Sequence, residues 1–75
     1  MATKRQMMDD PNSCWNKAAD DEHVFLLRST DKLAAHVVRD WAILAEEAGT
    51  SKEKVDEAME VAAQMELWPT RKVPD

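Results

Sequence analysis

Three side chains in this sequence could hold a soft metal or act as nucleophile or base: Cys14, His23 and His36. A metal site needs several ligands converging on one point. These three stand on separate segments, in neither a Cys-x-x-Cys nor a His-x-x-x-His spacing, so neither a metal nor a cofactor is expected. Cys14 at the start of a short helix would have its thiolate favoured by the helix dipole. Asp9, Asp10 and the run Asp20-Asp21-Glu22 oppose that effect, and a single glycine leaves no glycine-rich loop to cradle an oxyanion. A small enzyme or redox protein using Cys14 is therefore the alternative reading, and no enzymatic activity is the expectation. The Asp20–Glu22 run looks like a carboxylate cluster, but successive residues on a turn point in different directions. Helix capping and solvation account for it.

Two other groups point to binding rather than catalysis. Glu53, Asp56, Glu57 and Glu60 share an arc about 100° wide on one helix at 100° per residue, continued by Gln64. The pairs Glu53–Glu57 and Asp56–Glu60 are like charges four residues apart and cost a few tenths of a kcal/mol each. Acids in a first helical turn are favoured by the macrodipole, which explains Glu53 and part of Asp56. The rest of the arc is a candidate surface for a basic protein. Trp15 and Trp68 lie near segment ends, where large rings either close a small core or anchor a partner. Core closure is the favoured reading of both, and Trp41, central to an apolar stripe, is expected in the core.

The elements that must position these residues are helices. Asp31–Ala48 and Ser51–Leu67 each carry apolar residues at helical spacing, with Gly49 and Thr50 between them. In the first, Leu33, Ala34, Val37, Val38, Trp41, Leu44, Ala45 and Ala48 fall on one arc about 140° wide, with Ile43 projecting into the polar side. In the second, Val55, Ala58, Met59, Ala62 and Met65 share a face that Val61 and Trp68 widen. An antiparallel hairpin follows, with Trp41 and Met59 buried on facing sides. Gly49 sits where a helix ends in a left-handed residue. Ser29, Thr30 and Asp31 are the expected cap of the first helix, Thr50-x-x-Glu53 reads as a capping box for the second, and Pro69 expels Trp68 from helical geometry.

Ahead of the hairpin, Asn12 or Ser13 can cap a short helix over Cys14–Asp20. Val24-Phe25-Leu26-Leu27 fits a buried strand or a buried helical turn equally well. An irregular or extended segment laid across the hairpin is the preferred reading, and a strand would have to pair with a second copy. Residues 1–10 show no period and read as a flexible tail, residues 11–69 as a single small helical domain, and residues 70–75 as a polar C-terminal tail. The fold class is mostly α: a short N-terminal helix, an apolar connecting segment and an antiparallel two-helix hairpin.

Composition limits the function. A chain of 75 residues buries only about 60% of its unfolded surface, so its core is small and a homodimer is expected to add to it. A net charge of −5 argues against nucleic acid and anionic membrane as partners, because phosphate binding needs clustered Lys and Arg. The apolar runs Val24–Leu27 and Trp41–Ala45 are too short to span a bilayer, and no apolar stretch follows Lys4 and Arg5 as in a secretory signal. One cysteine cannot form an internal disulfide, and a cytoplasmic setting fits that best.

Taken together, Cys14-x-Asn16-Lys17-Ala18, Asp21-Glu22-x-x-Phe25-x-Leu27-Arg28, Val37-Val38-x-x-Trp41, Glu53-Lys54-Val55-x-Glu57-Ala58 and Met65-Glu66-x-Trp68-Pro69 resemble a group of small uncharacterised proteins of proteobacteria and their phages. His23 follows the Asp21-Glu22 pair, where proline is common in that group. The resemblance runs from about Pro11 to the C-terminus and implies a setting, not an activity: a small cytoplasmic protein, phage- or prophage-encoded. The function expected is a non-enzymatic protein-interaction module that presents an acidic helix to a basic host protein and associates with itself. A purely structural homo-oligomerising protein is the remaining alternative.

Overall fold

The computed structural model describes residues 3–73. Four helices follow in order: α1 (Lys4–Asp9), α2 (Cys14–Lys17), α3 (Ala34–Glu47) and α4 (Lys52–Glu66). The described residues contain no strand. α3 and α4 pack against each other as the expected hairpin, and α1 packs against α2. Neither of the first two helices packs against either of the last two.

The hairpin turn is written in its hydrogen bonds. Ala48 caps α3, Gly49 takes φ +89°, and Gly49 N–H donates to Glu46 O at 3.1 Å while Thr50 N–H donates to Ala45 O at 2.9 Å. That double closure is a Schellman motif, which satisfies carbonyls the helix end would leave bare. α4 then starts on Ser51, whose hydroxyl accepts from Lys54 N–H at 3.4 Å. The cap therefore sits one residue beyond the predicted Thr50, because Thr50 is already committed to closing α3. Asp31 helps to start α3, its carboxylate accepting from Leu33 N–H at 2.7 Å, although the N-cap position itself is Leu33 and carries no side-chain cap.

The core differs from the predicted one. Buried on α3 are Ala34, Ala35, Ala42 and Ala45; buried on α4 are Val55, Ala58 and Ala62, and Val38 packs against them from a half-buried position. Ala35, Val38, Ala42 and Ala45 step by three, four and three residues, and so do Val55, Ala58, Ala62 and the half-buried Met65. Both are coiled-coil seams, one from each helix. Trp41 and Met59, predicted to face each other in the core, are 44% and 42% exposed. The reason is spacing: a turn of two residues holds the axes close, and close axes need small side chains at the contact. Alanine satisfies that condition and tryptophan does not.

Two segments expected as tails carry structure. Lys4–Asp9 is a helix with a Thr3–Gln6 capping box, not an aperiodic run. Asn16 ties it to α2, its carboxamide donating to Met7 O, Met8 O and Asp10 O at 2.8–3.1 Å. The helix predicted over Cys14–Asp20 is thus a single turn, Cys14–Lys17, capped by Ser13. At the other end Lys72 is bridged to the entrance of α3: Lys72 N–H donates to Thr30 O at 2.8 Å and Lys32 N–H donates to Lys72 O at 2.9 Å. An antiparallel hairpin brings those two ends together, so the bridge closes what the helices begin. Val24–Leu27 is irregular as preferred, but it does not lie down as a core segment: Phe25 is 85% exposed and only Leu27 is half-buried.

Candidate interaction surfaces

The acidic arc is intact on the solvent side of α4. Glu53, Asp56, Glu57 and Glu60 are all exposed, on the side away from the α3 contact. Asp56 and Glu60 have partners on their own helix. Lys52 Nζ lies 3.1 Å from Asp56 Oδ2, and Gln64 Nε2 donates to Glu60 Oε1 at 3.1 Å. Lys52 precedes Asp56 by four residues, and side chains at that separation meet on a helix surface. The arc is therefore less purely acidic than its residue types imply.

Trp15 and Trp68 do not close the core. Each is about half exposed, Trp15 on α2 and Trp68 just past the end of α4. α2 does not pack against α4, so no helix contact joins Trp15 to the acidic arc. Cys14 is a free, exposed thiol on a four-residue helix. His23 and His36 are exposed, and His36 lies 3.3 Å from Asp40 on the same helix. Glu22 accepts from Ala19 N–H at 3.2 Å and so stabilises a turn. Among the described residues no three His, Cys, Asp or Glu side chains converge as a metal-binding group. No described helix is long and apolar enough to cross a membrane.

The basic residues are spread over several elements. Arg28 and Lys72 line a shallow open depression with Leu26, Thr30 and Asp31 at the bridged end of the hairpin. Lys4, Arg5 and Lys17 belong to the α1–α2 unit, which has no helix contact with the hairpin. Arg39 is taken up by Glu66 across the two long helices. The hydrogen bond to Arg39 holds the Glu66 carboxyl below the usual glutamate range, and the same bond raises the Arg39 guanidinium further.

The feature that residue chemistry missed is apolar. Leu33, Val37, Trp41 and Leu44 are all exposed, from 43% at Val37 to 64% at Leu44. With Ala48 they occupy an arc about 80° wide at 100° per residue, adjacent to the alanine seam but turned out of it. Val37, Trp41, Leu44 and Ala48 step by four, three and four residues, which is again the spacing of a seam that meets another helix. α3 thus has an inner seam of small residues, engaged by α4, and an outer seam of large ones. The signal was present in the sequence as the width of the predicted arc; a single seam is narrower than about 140°.

Comparison of the chain with protein-family models, with curated proteins and with solved structures finds no match.

Proposed function

We propose that this protein is a small non-enzymatic protein-interaction module that assembles through the outer seam of α3 and turns the acidic side of α4 towards a basic partner. The observation that carries the reading is the inversion of its side chains. The core is made of alanines and one valine, while the largest apolar residues stand outside it. A contiguous apolar face of this kind marks an interaction site in a folded protein. The bacterial cytoplasm, and a phage or prophage origin, belong to the same proposal and come from the resemblance of the scattered motifs.

The acidic arc supplies the second surface. Its four carboxylates are exposed together, so the partner they select is basic and the contact is salt-sensitive, since exposed charges are screened over about 8–10 Å at physiological ionic strength. Capture from bacterial lysate tests the acidic surface. Wild-type protein retains a basic partner at low salt and loses it at high salt. Asp56→Lys, Glu57→Lys and Glu60→Lys together abolish capture without loss of helicity, because all three side chains lie in solvent. Capture that survives the triple change removes the acidic surface from the reading. Capture that is absent throughout, with self-association intact, leaves a purely structural homo-oligomer.

A further inference from the structure

We propose that the occupant of the outer seam is a second copy of this chain, with α3 crossing the partner's α3 in antiparallel register about Trp41. The proposal rests on the interaction reading above and names its first partner. Area is the first argument. The chain exposes 6,292 Å², whereas a folded monomer of 8.5 kDa exposes about 4,700 Å². Part of the excess of about 1,600 Å² belongs to the α1–α2 unit and to Val24–Leu27, and the roughly 800 Å² that each partner buries in a standard interface is half of it. The radius of gyration agrees: 12.9 Å against about 11 Å for a compact domain of this length.

Self-complementarity is the second argument. A two-fold interface requires that a patch fit itself, residue i meeting j as j meets i. The outer seam is close to a palindrome about its centre. In antiparallel register Val37 meets the partner's Leu44 and Leu33 meets the partner's Ala48, which puts the two-fold axis between Asp40 and Trp41 and the two Trp41 rings beside it. The bulky Leu33 thereby faces the small Ala48, which evens the gap along the seam. Seams with spacings of three and four cross at about 20°, the geometry of four-helix bundles, and two hairpins joined this way make one. No helix of the same chain competes for the position, because α1 and α2 pack on each other and not on α3.

Sedimentation and light scattering on the full chain at micromolar concentration should give twice the 8.5 kDa chain mass. Leu44→Glu should return it to the single-chain mass with the helical circular dichroism retained, since Leu44 contributes nothing to the inner seam. Wild type at single-chain mass, or Leu44→Glu still at twice that mass, overturns the proposal. Should Leu44→Glu fail to fold, cross-linking decides. In a Cys14→Ser background, Val37→Cys with Leu44→Cys in one chain should be joined into a covalent dimer by a short bis-maleimide, several-fold more than either single variant. Equal cross-linking by Leu44→Cys alone overturns the antiparallel register. An apolar dye separates this failure from failure of the interaction reading. A monomer that binds anilinonaphthalene sulfonate, and loses it in Leu44→Glu, overturns the second copy and leaves an apolar docking face. A monomer that binds no dye overturns both.

Discussion

The two seams of α3 have the same periodicity and opposite chemistry. The inner one, Ala35, Val38, Ala42 and Ala45, lets two backbones come close across a two-residue turn. The outer one, Val37, Trp41, Leu44 and Ala48, carries far more apolar area and leaves much of it in water. Apolar burial yields about 25 cal/mol per Å², so the larger seam holds the larger driving force and the hairpin alone leaves much of it unused. The comparison teaches that the tightness of a connection, rather than the size of the side chains, selects which of two stripes closes within the chain.

The sharpest way to break that comparison is to make the inner seam resemble the outer one. Ala58 is 0% exposed, in contact with the Ala42–Ala45 core. Ala58→Leu forces extra methylenes into that contact at a cost of about 1–3 kcal/mol, which for a domain of this size lowers Tm by roughly 4–24 °C. Thermal circular dichroism measures it. An unchanged melt would mean that the helices are not in close contact there, and the two seams would lose their distinction.

A somewhat smaller effect tests the turn that imposes the close approach. A Cβ at Gly49 meets nothing within 4 Å, so Gly49→Ala carries no steric clash and reports the backbone alone. Its φ of +89° is costly for an L-residue, about 1–2 kcal/mol. Tm should fall by less than for Ala58→Leu. A variant as stable as wild type would show that the turn is held by the Schellman bonds without help from glycine.

These same particulars mark how much was legible in the sequence. The hairpin, its Gly49 turn and the termination of α4 before Trp68 and Pro69 follow from local rules that tertiary context did not override. The exposed carboxylates of α4 were legible for the same reason, as a helical face that the apolar stripe of α4 does not reach. The partition of α3 was not, because Ala34, Ala35, Ala42 and Ala45 weigh little in any hydrophobicity pattern although they decide which face can approach. Nor was α1: its Thr3–Gln6 box is a local signal of the same kind as Thr50-x-x-Glu53, but no apolar period follows it, and its tie to α2 depends on Asn16 reaching carbonyls six to nine residues back. The Lys72 bridge is likewise non-local and invisible to periodicity.

The α1–α2 unit offers a contrast with the hairpin that can be sharpened separately. Asn16→Leu removes a carboxamide whose two N–H groups are shared among three backbone carbonyls, all of them at exposed sites. Each bond is worth about 0.5–1.5 kcal/mol at most, and water replaces the partner at an exposed site. Amide hydrogen exchange should therefore quicken over residues 4–17 while residues 34–66 keep their protection, because the two pairs of helices do not pack together. Loss of protection in α3 and α4 would show that the N-terminal unit supports the hairpin after all.

The smallest expected effect comes from the Arg39–Glu66 ion pair, which bridges α3 and α4. Glu66 has its carboxyl held below the ordinary glutamate range first by the hydrogen bond from Arg39, with a further contribution from the nearby charges of Arg39 and Arg71. A depressed carboxyl stabilises the fold fully above its unfolded pKa, and the contribution is lost as pH falls through the folded value. Arg39 stays charged throughout that window, so its own raised pKa adds no pH dependence there. Stability should therefore decline slightly on acidification below the ordinary glutamate range, and the decline should be shallower in Glu66→Gln. Because Glu66 is exposed and Arg39 only half-buried, salt should weaken the pair in the same direction as acid. The inner seam has no charge in its contact and should respond to neither. Denaturant titrations of wild type and Glu66→Gln across that pH range read the difference. Identical pH profiles would mean that the Arg39–Glu66 bridge contributes nothing measurable and that the alanine seam alone fixes α3 against α4.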